Sequence, residues 1–351
     1  MRTHGRTLRT TCTVKPRPLW DPLRRPGRPS MTMLSREEYQ ELSRELAEPS
    51  DVDRLAQERG LDPDLLMVIY THRVTRDATK RFYVVQKEAP RLLKEWDRGR
   101  SYLEIARQWR FPPVLMAQLI EKARQTPRRT FWDAFRRPEA IPDARLRREV
   151  MEVLDADWVY SPKGGELQRA RGIKGEARLA AWLKKHDLTY RTEKDLRGKF
   201  AKTPDALLDH PIILDGQKVC WIESKANFGD EVELRRNLRK QLEPYTQMFG
   251  EGAVVYWHGH LRGASSPPGI LLYDGETLES LTPEAWTEGY VAPTPPRREP
   301  EKEREGHSRS EPSHPREREP YRDDRRRRPP HVTTTPPPKP RRRPVDRSAY
   351  F

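Results

Sequence analysis

The chain has 351 residues, 34% hydrophobic and 34% charged, with 34 prolines, so it is too polar to pack evenly and has room for two modest globular units between unpacked ends. No apolar run approaches the ~20 residues a membrane-spanning helix needs, and two cysteines, Cys12 and Cys220, with nine scattered histidines, exclude a disulfide framework or a structural zinc site. The formal net charge of +15 sits at the ends: residues 1–30 and 291–351 carry about +7 each and leave about +1 for the middle, so a nucleic-acid groove has to come from local clustering.

Residues 1–33 form a basic leader without hydrophobic periodicity, expected to be disordered. Its arginine content resembles a mitochondrial transit peptide, but Pro16, Pro18, Pro22, Pro26 and Pro29 oppose the amphipathic helix such a peptide forms. An upstream extension or a solvated arm is the alternative.

Residues 34–155 read as an α-helical domain, because apolar residues recur at three and four with no two-residue alternation. Two stretches have helix-turn-helix character. In the first, a helix around Asp53–Glu58 runs to Gly60, and Asp62-Pro63 opens the next through Leu65, Leu66 and Ile69. In the second, Ser101 with Glu104 forms a capping signature, and Phe111-Pro112-Pro113 starts a helix carrying Val114, Leu115, Leu119 and Ile120. Were that helix to enter a major groove, its start would read bases while Lys122, Arg124, Arg128 and Arg129 grip phosphates. A helical hairpin that only packs a core has the same pattern.

Residues 156–290 change character. A helix with an apolar face of Leu179, Trp182 and Leu183 precedes a β region: Ala206–Leu208, Pro211–Leu214 and Lys218–Lys225, with Asp215-Gly216 as a hairpin turn. Counting back from that turn places Asp205 in the neighbourhood of Ala226 and therefore close to Glu223 and Lys225, with Pro211 marking an edge or a bulge. Alternation puts Glu223 and Lys225 on one face and Cys220, Ile222 and Ser224 on the other. Beyond about Val291 the Pro/Arg-rich tail, with runs at 325–328 and 341–343, has too little apolar surface to offset its ordering entropy and is expected to be disordered, serving either nuclear import or tethering, or as a solvated extension.

Asp205, Glu223 and Lys225 carry the chemistry. Phosphodiester hydrolysis needs an activated water and counter-charge in the transition state. Asp205 and Glu223, with the backbone carbonyl of Ser224, form an oxygen donor set for Mg²⁺ or Mn²⁺, and Lys225 orients or deprotonates the water. A Pro-Asp followed by Glu-x-Lys gains weight because these charges close a strongly apolar strand, where a charge is costly unless paired or metal-bound; a plain Glu223–Lys225 ion pair is the alternative. Gln241 and Tyr245 share a face of the next helix, and Glu176 lies on the helix before the sheet. Lys174, Arg178, Arg235, Arg236, Arg239 and Lys240 are candidates for basic walls beside the site.

The Gln-x-x-x-Tyr spacing and Glu176 resemble elements of the exonuclease branch of the PD-(D/E)xK superfamily. Thr203-Pro204-Asp205, the block from Trp221 to Glu231, and Phe249-Gly250 followed by Val254-Val255-Tyr256-Trp257 closely resemble the codanin-interacting nuclease family, also known by its Thr-Pro-Asp motif. The resemblance runs from about Met33 to Leu281. It implies helix-turn-helix units followed by an α/β restriction-endonuclease-like fold, and in animals a partnership with codanin linked to chromatin and red-cell maturation. The favoured activity is Mg-dependent hydrolysis of DNA, though neither the motifs nor the resemblance specifies the substrate. A nuclear location is expected, with the cytoplasm as alternative, and no membrane partner. A low-turnover scaffold for a chromatin factor and an RNA-processing nuclease are the competing readings.

Overall fold

The computed structural model describes residues 33–294. Almost all of the leader, Cys12 and the arginine-rich tail beyond Thr294 lie outside them. The first half is helical. Helix α1 (Arg36–Glu45) opens on a capping box: Ser35 Oγ accepts the Glu38 N–H at 3.1 Å, and the Glu38 carboxylate accepts the Ser35 N–H at 2.6 Å. Helix α2 (Ser50–Arg59) ends at Gly60, whose φ of 65° suits a residue without Cβ. Asp62 then caps α3 (Pro63–Lys87), which opens on Pro63 as its position requires. Helices α4 (Ala89–Asp97) and α5 (Tyr102–Trp109) follow, the latter on the Ser101/Glu104 capping box; α6 (Pro113–Ala123), α7 (Arg128–Arg136), a 3₁₀ turn at Pro138–Ala140 and α8 (Ala144–Ala156) complete the half.

Helix α6, for which a base-reading role was expected, packs largely into the helical core. Helices α4, α5, α7 and α8 surround it, and Val114, Met116, Ala117, Leu119 and Ile120 are buried. At its N-terminus, where a phosphate would otherwise sit, the buried carboxylate of Asp157 accepts the Val114 N–H at 3.0 Å. At its other end, buried Glu121 accepts hydrogen bonds from Tyr102, Arg124 and Thr126. Most of α6 is thus spent on the helical core, with Pro113, Leu115 and Gln118 half-buried along its remaining face. Lys122 is exposed in its last turn, whereas the Arg124 guanidinium lies 4.5 Å over the Trp96 ring and 2.6 Å from Glu121.

The second half is a three-layer α/β unit. After α9 (Pro162–Lys185) come β1 (Tyr190–Thr192), the short α10 (Glu193–Leu196), β2 (Ala206–Leu214) and β3 (Gln217–Lys225). Helix α11 (Glu231–Asn237) passes through a π-helical turn (Leu238–Leu242) into α12 (Glu243–Phe249), followed by β4 (Gly252–Tyr256), β5 (Ile270–Asp274), α13 (Gly275–Ser280) and β6 (Glu284–Ala285). The strand order is β1-β2-β3-β4-β5, with β6 beside β2; β1 to β3 are antiparallel, and β3, β4 and β5 are parallel. Leu179, Trp182 and Leu183 of α9 cover one face against Ile222, Ala253 and Val255. Tyr245 and Phe249 of α12 cover the other against Leu207, Trp221 and Val254.

Asp215 (φ 47°) and Gly216 (φ 72°) make the expected two-residue turn, and Leu214, Ile213 and Ile212 face Gln217, Lys218 and Val219 as that turn dictates. The register then shifts at a bulge between Leu207 and Ile212, so that Leu207 faces Trp221 and Ala206 faces Ile222. Continuing that register brings Asp205 opposite Glu223 instead of Ala226. Strand β2 lies between β1 and β3, so Pro211 belongs to this bulge and not to an edge. The bulge also disturbs the alternation: Cys220 packs in the layer of Trp221, while Val219 and Ile222 pack in the other.

The two halves meet at a buried node. Phe228 stacks on Tyr39 with ring centroids 5.3 Å apart, and the carboxylate of Asp230 accepts from Tyr39 Oη at 2.5 Å, His72 Nδ1 at 3.2 Å and Arg76 at 2.7 Å, while capping α11 through the Val232 and Glu233 N–H groups. Burial opposes ionisation of Asp230, but the hydrogen bonds from His72 and Tyr39 and the charge of Arg76 hold its carboxyl well below the usual carboxylate range. Asp230→Ala removes the shared acceptor of groups that stay buried, and is expected to destabilise the chain by roughly 3 kcal/mol. A thermal melt checks this, and an unchanged Tm would show that the node does not join the halves.

Candidate active site

Glu223 and Lys225 lie at the C-terminal end of β3, where the antiparallel hairpin gives way to the parallel strands, a position at which open α/β sheets commonly place their ligands. The bulge brings Asp205 beside them. The Asp205 N–H donates to Glu223 Oε2 at 3.2 Å, and the Ser224 N–H donates to Asp205 Oδ2 at 2.8 Å, so each acid is fixed by backbone at the other. Lys225 Nζ donates to Glu223 Oε1 at 2.6 Å and to Gln241 Oε1 at 2.8 Å. Gln241 belongs to the π-helical turn, whose extra residue per turn changes the direction of the side chains that follow.

Of the remaining candidates, Tyr245 is buried and its hydroxyl donates to the Thr203 carbonyl at 2.8 Å, so it holds the Thr-Pro-Asp segment in place without reaching Lys225. Glu176 is exposed on α9 and acts on Asp205 through its charge. Lys174 is exposed, 3.8 Å from Asp64. Arg178 pairs with Glu279 at 2.8 Å and lies 4.3 Å over the Trp257 ring. Arg235, Arg236, Arg239 and Lys240 are exposed along α11 and the π turn, with Arg236 paired to Glu233 and the Lys240 carbonyl taken by Lys202.

Several contributors were not among the candidates. Trp257 Nε1 donates to Ser224 Oγ at 2.7 Å on the α9 side of β3. A Cβ on Gly175 would sit 2.6 Å from Trp257 Cδ1 and 3.2 Å from Ser224 Oγ, so α9 approaches the site only because this residue has no side chain. Gly172 and Gly175 inside a helix were the available signal. His258, next along the chain, is pushed down to about 4 by burial together with the cations Arg171, Lys174 and Arg178, against the opposing charge of Asp64, so it is neutral near pH 7.

Burial and the charge of Glu223 push Asp205 up to about 7, with Glu176 adding to the rise and the Ser224 N–H and Lys225 opposing it. Burial also raises Glu223, against Lys225. Two acids with one ammonium leave negative charge that a cation would relieve. Among the described residues no three His, Cys, Asp or Glu side chains gather within ligating reach of a common point. The donors therefore fit an ion held by two carboxylates with water and backbone oxygen in the remaining positions, the habit of Mg²⁺, and not one enclosed by side chains.

Residues 142–275 match the family model described as "Protein of unknown function TPD sequence-motif". CDAN1-interacting nuclease 1 of Xenopus laevis is 36% identical over 191 residues, 51% of this chain and 63% of that protein. Over these residues the chain is similar to the codanin-interacting nucleases. The proteins of the same name from Danio rerio and Homo sapiens are 36% and 34% identical, over 49% and 48% of this chain and 61% and 64% of theirs. Each match thus covers less than two thirds of the relative's own length. No solved structure matches the chain.

The raised Asp205 has a consequence for stability. In the unfolded chain it ionises near 3.8, and in the folded chain at about 7. Between these values the folded state keeps a proton that the unfolded state has lost, so this group's contribution to stability falls as pH rises through that window. Asp205→Asn, which never ionises, is therefore expected to raise Tm over the metal-free native sequence above pH 7, and progressively less towards pH 4. Melting curves across that range check it; a Tm difference independent of pH would contradict the assigned burial.

Proposed function

We propose that the chain is a Mg²⁺- or Mn²⁺-dependent nuclease of the PD-(D/E)xK type that hydrolyses phosphodiester bonds in DNA. The observation that carries this reading is the reciprocal locking of Asp205 and Glu223 with Lys225 beside them: a buried and a half-buried acid with one base at a strand end, where an ordinary ion pair would need only one acid. The naming of the relatives as nucleases supports it.

In this reading the bound cation supplies counter-charge for the phosphoryl oxygens and an acidified water. Asp205 and Glu223 hold it, the Ser224 carbonyl is the nearest backbone donor in sequence, and the Trp257 contact to Ser224 Oγ steadies that segment. Lys225 has three N–H donors, of which Glu223 and Gln241 engage two. The third is available to orient the attacking water or to meet a non-bridging phosphate oxygen. Gln241 keeps the ammonium aimed, and Tyr245 keeps the Thr-Pro-Asp turn, hence Asp205, against β3. The relatives' name says that they interact with CDAN1, and we extend the proposal to a codanin-like partner and a nuclear location.

The test is cleavage of single-stranded, double-stranded, flapped and branched DNA, and of RNA, with Mg²⁺ or Mn²⁺. Asp205→Asn and Glu223→Gln are expected to abolish both cleavage and calorimetric metal binding. Lys225→Ala is expected to keep metal binding and lose on the order of 10²–10⁴-fold in turnover. Full activity in either acid variant would overturn the site, and preference for RNA would overturn the substrate.

A further inference from the structure

The helical half contains a cavity of about 360 Å³ lined by Arg91, Lys94, Glu95 and Arg98 from α4 and the turn after it, by Arg100, and by Gln108 of α5. Four cations thus face one carboxylate. Glu95 engages two of them, Arg100 at 2.6 Å and Arg91 at 3.4 Å, and Gln108 accepts from Arg100, so these guanidinium groups are held in place on the wall. The side chains of Lys94 and Arg98 are exposed and have no ion pair or hydrogen bond among the described residues. The Arg91 guanidinium is steadied further at 5.8 Å from the Trp109 ring.

We propose that this cavity is an anion site that takes phosphate groups of a nucleic-acid backbone. The inference rests on the nuclease reading for the identity of the ligand. Three guanidinium groups and an ammonium around a small concave wall suit the oxygens of a phosphate, which a planar fork can bind in pairs. The middle of the chain carries about +1 overall, so a local excess of three positive charges is where its field concentrates. With much of α6 spent on the core and Arg124 bound to Glu121 and Trp96, the α4–α5 wall offers this half a cationic concavity for such a grip. No base is read here; the site anchors.

The test measures binding of a fluorescent DNA duplex to the full chain by anisotropy, in chelator so that nothing is cleaved, as a function of salt. Lys94→Ala with Arg98→Ala is expected to weaken binding several-fold and to flatten the slope of log affinity against log salt by about 1 to 2, one counterion contact per residue. Arg128→Ala with Arg129→Ala on α7 removes the same charge elsewhere and is expected to leave the slope within about 0.5 of the native value. An unchanged slope in the pocket variant, or an equal loss in the α7 variant, overturns the proposal. So does an equal loss of affinity for a poly-glutamate peptide with DNA binding retained, which would assign the cavity to acidic protein segments. Melting curves show whether both variants stay folded. The two failures are distinguishable: cleavage that depends on Asp205 with DNA binding indifferent to Lys94 and Arg98 leaves the nuclease reading standing and removes the anchor, whereas anchoring without cleavage does the reverse.

Discussion

Glu223 is buried at the end of a hydrophobic strand with a second acid at its backbone and an ammonium at its carboxylate, and each of the three constrains the others. A lone carboxylate there would be driven to protonate. Lys225 offsets one negative charge, and the other is left on a pair whose pKa values have both risen. Such a pair persists because the surrounding structure over-determines it: the bulge in β2 sets Asp205 opposite Glu223, Tyr245 ties down Thr203, the π turn aims Gln241 at Lys225, and Gly175 lets α9 close over Trp257 and Ser224. The energetic cost of assembling like charges is the kind that structure retains at sites of chemistry.

The helical half contributes to this site through the frame. Phe228 and Asp230 follow the active strand by a few residues, and they carry the stacking and the buried hydrogen bonds that join it to Tyr39, His72 and Arg76. The residues just after β3 therefore work at two places at once, since Asp230 also caps the helix that leads to Gln241. The junction and the Lys225 contact thus lie on one continuous stretch of chain. Helix α6, by contrast, buries Val114, Met116, Ala117, Leu119 and Ile120 and contributes chiefly to the core of the helical half.

Features that depend on local chemistry were legible from residues alone. The capping box at Ser101, the Gly60 stop, the Asp62-Pro63 start and the Asp215-Gly216 turn each rest on a few adjacent side chains, and each is present. What escaped depended on tertiary context. The turn fixed the hairpin register only as far as Ile212, and beyond it a bulge, whose size no sequence rule supplies, moved Asp205 from Ala226 to Glu223. The alternation that grouped Cys220 with Ile222 failed at the same bulge. Helix α6 has the pattern of a recognition helix because an apolar helix in a core and one in a helix-turn-helix differ in what covers the remaining face, which is set by α4, α7 and α8. Asp230 looked like one acid among many, and only the fold brings Tyr39, His72 and Arg76 to it.

The central claim, that Asp205 and Glu223 form one cation site on the α12 side of β3, is tested most directly by anomalous scattering from crystals of the chain grown with Mn²⁺. The account predicts one strong anomalous peak in contact with carboxylate oxygens of both residues, its other ligands being water and backbone carbonyl, with Lys225 still bonded to Gln241. A map with no peak there, the two acids joined only to each other and to Lys225, would contradict it.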